Sequence, residues 1–140
     1  MKSPRMLNKQ ESKGRILFVN DDPDTYDLVT YSLEEIGYET TVALNITTGL
    51  ELAKTQDFDF ILIDWYFEDG MGTQLCESIR LFDKVTPIFF YTGECRKDEI
   101  KKALAAGAQG CFLKPVDVDD FLNTLSRQIV NQSSKTPKDH

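Results

Sequence analysis

Histidine is almost missing from this chain: one residue in 140 is histidine, and it is the last, His140. Acid–base, triad or metal chemistry built on imidazole is thereby nearly excluded. Cysteine is scarce and scattered. Cys76, Cys95 and Cys111 form no CxxC pair, and such an odd, dispersed set reads as reduced thiols, not as a disulfide frame or a zinc site. No apolar run approaches the roughly 20 residues that cross a bilayer. The first stretch, MKSPRMLNKQESKG, lacks the apolar core of a signal peptide, so the expected location is the cytoplasm. Positive charge is also in deficit. With 16 basic and 23 acidic residues the formal net charge is -7, which argues against direct nucleic-acid binding or an anionic membrane as partner.

What is present is ordinary for a globular domain: 41% hydrophobic and 28% charged residues. A chain of this length forms one domain and buries roughly 65–70% of its unfolded surface. No internal repeat is visible. Residues 1–14 read as a flexible arm and residues 131–140, NQSSKTPKDH, as a flexible tail, leaving 15–130 as the folded domain.

That domain alternates two periodicities. Short apolar or β-branched runs at Ile16–Val19, Tyr38–Ala43, Phe58–Ile63, Pro87–Tyr91 and Cys111–Leu113 predict strands. Between them lie helical patterns. Leu28, Val29, Leu33 and Ile36 share one stripe, with Gly37 as the stop; Asn45 caps a helix carrying Leu50, Leu52 and Ala53. Leu75, Ile79 and Phe82 mark a third helix, and Ile100, Ala103 and Leu104 an inward stripe on a fourth that Gly107 ends. Asp117 caps a fifth, with Phe121, Leu122, Leu125 and Ile129 apolar. Five βα units predict an α/β fold with a parallel sheet and helices on both faces. Ligands in such sheets sit beyond the carboxyl ends of the strands.

Those ends carry Asn20, Asp21 and Asp22 after the first strand, Asp64 after the third, Thr92 and Gly93 after the fourth, and Lys114 and Pro115 after the fifth. Singly, each has a plain reading: Asp21 or Asp22 as the cap of the helix that Pro23 starts, Asp64 as a turn, Thr92 as a cap, Lys114 as a solvated loop residue. Together they form a coherent chemistry. Adjacent carboxylates repel, and a hard divalent cation such as Mg²⁺ relieves them. A cation beside an aspartate suits phosphoryl transfer to that aspartate, with a lysine and a hydroxyl holding further oxygens.

In order along the chain, ILFVNDDPD, DFILIDWYFEDGMG, TPIFFYTG and GCFLKP resemble the receiver domain of two-component response regulators, the CheY-like family, from about Arg15 to Val130. The resemblance implies a flavodoxin-like strand order 2-1-3-4-5. It implies Asp64 as phosphoacceptor, Asp21 as the acid that ligates Mg²⁺, the Tyr66 backbone carbonyl as a further ligand and Asn20 as a contact through water. Thr92 falls on the switch hydroxyl and Lys114 on the family's lysine. The implied donor is a sensor histidine kinase or phosphotransfer protein, and the implied output is an unidentified protein target on the face from Glu94 to Arg127. Such a chain assists its own phosphorylation and dephosphorylation but is not a turnover enzyme.

The chain departs from the family pattern at three places. Asn20 stands where a carboxylate is usual, which predicts weaker Mg²⁺ affinity. Cys111 stands where Tyr or Phe usually partners the threonine, and Phe112 should point to the other side of its strand; Cys111 reads as small core filler. Glu68 stands where proline is frequent, which predicts a more mobile loop after Asp64. Tyr66 and Glu94, each two residues past a site residue, are candidates for controlling water attack on the phosphoryl group.

The alternative reading is a pseudo-receiver that binds protein partners without phosphorylation, favoured by Asn20 and Cys111. A flavodoxin-type cofactor binder needs a phosphate-cradling loop where this chain has NDDPD. A hydrolase with Asp64 as nucleophile needs an acid at the position held by Tyr66. No output domain fits after Val130, so both a stand-alone receiver and a piece of a larger regulator stay open.

Overall fold

The computed structural model describes residues 12–114, 119–121, 123, 124 and 127. The elements are β1 (Gly14–Val19), α1 (Pro23–Glu35), β2 (Tyr38–Ala43), α2 (Ile46–Thr55), β3 (Phe60–Asp64), a short hairpin of β4 (Tyr66–Phe67) and β5 (Gly70–Met71), α3 (Gly72–Arg80), β6 (Ile88–Thr92), α4 (Lys97–Ala106) and β7 (Gly110–Leu113). Residues 119–121 are helical. Five strands form one sheet in the order β2-β1-β3-β6-β7, and all four pairings are parallel. With the hairpin strands set aside, this is the expected order 2-1-3-4-5.

Alternation along the strands builds two cores. Leu17, Val19, Ile61, Ile63, Ile88 and Phe90 face one way and meet Leu75, Cys76 and Ile79 of α3 and Ala103 and Ala106 of α4, with Leu50 and Ala53 of α2 at the margin. Ile16, Phe18, Phe60, Leu62, Phe89 and Tyr91 face the other way and meet Val29 and Leu33 of α1 and Phe121. Residues on both sides of β1 and β3 are buried, which is why these strands read as continuous apolar runs. Full burial of each such side chain stabilises the fold by roughly 1.5–3 kcal/mol.

Several sequence expectations need correction. The third strand starts at Phe60, not Phe58; just before it the Asp59 side chain takes the place of a main-chain acceptor, its carboxylate accepting from the Arg15 N–H at 2.8 Å. Leu28 is 63% exposed: α1 lies over the sheet on the buried Val29 and Leu33, with Tyr26 and Ile36 partly buried beside them. Ile100, Leu104 and Phe82 are also exposed, and α4 packs through its alanines, whose small size lets the helix lie close. The first strand takes in Gly14 from the supposed arm, and Lys13 N–H donates to the Gly37 carbonyl at 2.8 Å. Residues 1–11 of the arm, the tail, the Asp117 cap, Leu122, Leu125 and Ile129 lie outside the described residues.

Candidate functional site

The sheet brings the expected residues to one rim. β1 ends at Val19 and β3 at Asp64, and they are adjacent strands; Thr92 ends β6 on the other side of β3, and Lys114 directly follows β7. Asp64 therefore stands at the end of the central strand. Its Oδ1 accepts from Lys114 Nζ at 3.0 Å and from the Trp65 N–H at 2.8 Å. Its Oδ2 accepts from Asn20 Nδ2 at 3.3 Å. Lys114 is held by two further contacts: its N–H donates to the Thr92 carbonyl at 2.8 Å, and its ammonium lies 5.4 Å from the Tyr91 ring centroid.

The orientation of Asn20 follows from its partners. The Asp22 N–H, which can only donate, sits 2.8 Å from Oδ1, so the amide NH₂ faces Asp64. Asn20 is fully buried, and its own N–H donates to the Ala43 carbonyl at 2.9 Å. Asp22 is the N-cap of α1: its carboxylate accepts from the Thr25 N–H at 3.1 Å. Asp21, between them, is exposed at the rim.

Thr92 is buried, and its Oγ1 accepts from the Glu94 N–H at 3.3 Å. It does not cap α4, whose N-cap is Arg96. Gly93 leaves the way in open, since a Cβ there would have nothing within 4 Å. Glu94 is exposed and pairs with Arg96 at 2.7 Å. Phe112 does lie on the opposite face from Cys111, 5.0 Å from the Phe89 ring centroid and 4.8 Å from that of Phe121.

The loop after Asp64 is a pinned hairpin, contrary to the mobility expected from Glu68. Tyr66 pairs with Met71 and Phe67 with Gly70. The Asp69 carboxylate accepts from the Ile46 and Thr47 N–H groups and the Thr47 hydroxyl, each at 3.1 Å, and so joins the hairpin to the N-terminus of α2. Desolvation opposes ionisation of Asp69, but these donors outweigh it and hold its carboxyl below the usual range. Gln74 Oε1 accepts from the Met71 N–H at 2.8 Å. Gly72 is required where the hairpin turns into α3: a Cβ there would lie 2.2 Å from the Asp64 carbonyl oxygen. Tyr66 is 68% exposed at the mouth of the site.

The donor set fits Mg²⁺. Among the described residues no three His, Cys, Asp or Glu side chains cluster tightly enough to hold a metal by themselves. Mg²⁺ does not need that many: it is held by one or two carboxylates with waters and carbonyl oxygens completing the shell. The residues that would hold it are Asp21 and Asp64, with their carboxylates, and Tyr66, with its backbone carbonyl.

Comparison with known proteins agrees with this geometry. The model of the response regulator receiver domain matches residues 16–126. The chain belongs to that family. It is 31% identical over 113 residues to chemotaxis protein CheY-3 of Vibrio cholerae, covering 79% of this receiver and 85% of that protein. It is 30% identical to the nisin biosynthesis regulatory protein NisR of Lactococcus lactis over 82% of the receiver but 50% of NisR. The receiver spans only 11% of the sensor histidine kinase AruS and 24% of the response regulator PilR, both of Pseudomonas aeruginosa. A CheY-like receiver from Methanospirillum hungatei superposes with a TM-score of 0.81 at 29% identity, covering 87% of this chain and 98% of that one. No helix among the described residues is long and apolar enough to cross a membrane.

Sequence reasoning missed the Asp69 anchor, because its partners lie 22 and 23 residues upstream on another element.

Proposed function

We propose that this receiver accepts a phosphoryl group on Asp64 from a phosphohistidine of a sensor kinase or phosphotransfer protein, and that the modification changes the surface it offers to a protein target. The observation that carries this reading is the 3.0 Å contact between Lys114 Nζ and Asp64 Oδ1 at the end of the central strand. A lysine held there places a positive charge where an incoming phosphoryl oxygen arrives.

Asp21, Asp64 and the Tyr66 carbonyl would hold Mg²⁺, with Asn20 a contact through water. When bound, the ion neutralises charge that develops on the transferring phosphoryl group. The chain itself supplies the nucleophile, an Asp64 carboxylate oxygen, and two fixed donors. Lys114 turns from Asp64 Oδ1 to a phosphoryl oxygen, and the Thr92 hydroxyl, free to donate while it accepts from Glu94, offers a bond to another. Tyr66 stands over the mouth and restricts water. Drawing Thr92 toward the phosphoryl group moves the segment that leads into α4. That helix and β7 expose Ile100, Leu104 and Leu113 within the face from Glu94 to Arg127, an apolar surface suited to a protein partner.

The test is incubation with Mg²⁺ and acetyl phosphate, read by intact mass. One acid-stable, base-labile phosphoryl adduct is expected, absent from Asp64→Asn and absent without Mg²⁺. A chain that stays unmodified, with Trp65 fluorescence indifferent to Mg²⁺, overturns the reading and leaves a phosphorylation-independent binding module.

A further inference from the structure

Asp64 on β3 and Tyr91 on β6 are register partners in neighbouring parallel strands, so their side chains share one face of the sheet. Phe112 of β7 is in turn the register partner of Tyr91, and Lys114 follows two residues later. The Tyr91 side chain thus stands between the phosphoacceptor strand and the lysine. It is buried, and the Phe18 ring of β1 meets it edge-on, with centroids 5.8 Å apart and planes at 72°. Lys114 Nζ lies 5.4 Å from the Tyr91 ring centroid and 3.0 Å from Asp64 Oδ1. Among the described residues, Asp64 is the one hydrogen-bond partner of that ammonium. The other end of the lysine is tied as well, since its backbone N–H donates to the carbonyl of Thr92, the residue after Tyr91.

We propose that Tyr91 is a positioning residue for phosphoryl transfer. Its ring is the seat that keeps the Lys114 ammonium at the Asp64 carboxylate and lets it pass to a phosphoryl oxygen. This rests on the reading of Asp64 as phosphoacceptor given above. Tyr91 acts only through Lys114, which is the group that meets the reacting atoms.

The physical case turns on what lysine lacks. Its ammonium is a point charge on a flexible four-carbon stem, without the rigid fork that aims an arginine. Something else must aim it. A hydrogen-bond acceptor would do so by taking one of its three protons and fixing Nζ at one spot. An aromatic face attracts the cation over an area and takes no proton. Lys114 therefore keeps one donor on Asp64 and the others available. When the acceptor charge shifts from the carboxylate to phosphoryl oxygens, the ammonium can change partner without leaving the ring. Phe18 holds that ring from the side, so the seat itself does not swing.

The experiment uses the full chain and starts without Mg²⁺ or a phosphodonor. Side-chain NMR is expected to show the Lys114 Cε methylene protons displaced by the ring current of Tyr91. Tyr91→Phe keeps the displacement, and Tyr91→Leu, which fills the core without a ring, removes it. Initial rates of phosphoryl uptake from acetyl phosphate with Mg²⁺ follow, read by intact mass. Tyr91→Phe is expected to match the wild type, and Tyr91→Leu to be about fivefold slower, the change that a partly exposed cation–π contact implies. In a Lys114→Ala background the same Tyr91→Leu change should slow uptake no further, because residues that act through one another are not additive. Wild-type Lys114 signals at ordinary lysine positions overturn the proposal, and this arm needs no variant to fold. So does equal slowing by Tyr91→Phe and Tyr91→Leu, or a further fivefold loss on top of Lys114→Ala, either of which leaves Asp64 as phosphoacceptor. A wild type that takes up no phosphoryl group overturns that reading and the role of Tyr91 with it, even where the Lys114 signals follow the ring.

Discussion

Replacing Asn20 with aspartate reverses the contact that Asn20 makes with Asp64. In the wild type the Asn20 amide donates to Asp64 Oδ2 at 3.3 Å while its oxygen accepts from Asp22. In Asn20→Asp the Asp22 N–H still finds an acceptor, but the donor toward Asp64 becomes a second anionic oxygen. Two unit charges 4 Å apart repel by about 1 kcal/mol in water and about 4 kcal/mol at an effective dielectric of 20. The position is fully buried, yet Lys114 already faces the other oxygen of Asp64. We therefore expect a loss of about 2 kcal/mol in metal-free stability at neutral pH. Mg²⁺ feels the same charge with the opposite sign and twice over. Through an intervening water the gain is about 1.4 kcal/mol, or about tenfold in affinity. Both numbers come from one experiment. Trp65 is almost fully buried beside Asp64, with its ring 4.7 Å from that of Phe90, so its fluorescence reports on the site. Urea unfolding with and without Mg²⁺, and a Mg²⁺ titration, should show a less stable apo form that Mg²⁺ restores. Unchanged Mg²⁺ affinity, or an apo form as stable as wild type, would refute the reasoning.

Other substitutions test other parts of the site. Gly72→Ala forces a methyl group against the Asp64 carbonyl and should destabilise the fold by roughly 1–3 kcal/mol in urea unfolding while reducing phosphoryl uptake. Lys114→Ala should cost at most about 1 kcal/mol, since the pair is partly exposed, yet abolish the response of α4 to phosphorylation as read by amide exchange. Asp69→Ala releases the hairpin from α2; Mg²⁺ affinity should fall severalfold by Trp65 titration, with Asp69→Asn keeping part of it. Asp83 tests pH dependence. Burial works against its ionisation, but the Thr86 hydroxyl, the Thr86 and Val85 N–H groups and Arg80 prevail and lower its pKa from 3.8. A depressed folded pKa gives stability that is present above 3.8 and lost as pH falls through the folded value. Asp83→Asn should therefore flatten the acid limb of stability below about pH 4 and leave its shape near neutral unchanged.

The sheet was the most legible part of the sequence. Ile16–Val19 and the run into Asp64 are apolar on both faces because both faces are covered, and a buried parallel strand leaves no other pattern. Helix stripes were less legible. Leu28, Ile100 and Leu104 satisfy the spacing that places residues inward, but spacing fixes only which residues share a face, not where the covered face ends. On α4 the contact is made by Ala103 and Ala106, whose small side chains carry little hydropathy signal and allow close approach. The apolar residues beside them, Ile100 and Leu104, are left to solvent.

At the site, the residue types were readable and their orientations were not. Asp64, Thr92 and Lys114 announced themselves by following strands, since strand ends in a parallel sheet must converge. Nothing in the letters NDD says that Asn20 turns its amide hydrogens to Asp64. That follows only once the Asp22 N–H is seen to claim the oxygen, and Asp22 does so because it caps α1. The cap segment thus sets the electrostatics at Asp64: the Asp22 N–H fixes the Asn20 rotamer, which places a donor against the Asp64 carboxylate. A neutral donor holds Asp64 in place without metal, whereas an acid there would need Mg²⁺ to remain beside it. On the proposed function, the Asn20 amide exchanges metal affinity for a site that stays formed when Mg²⁺ is absent.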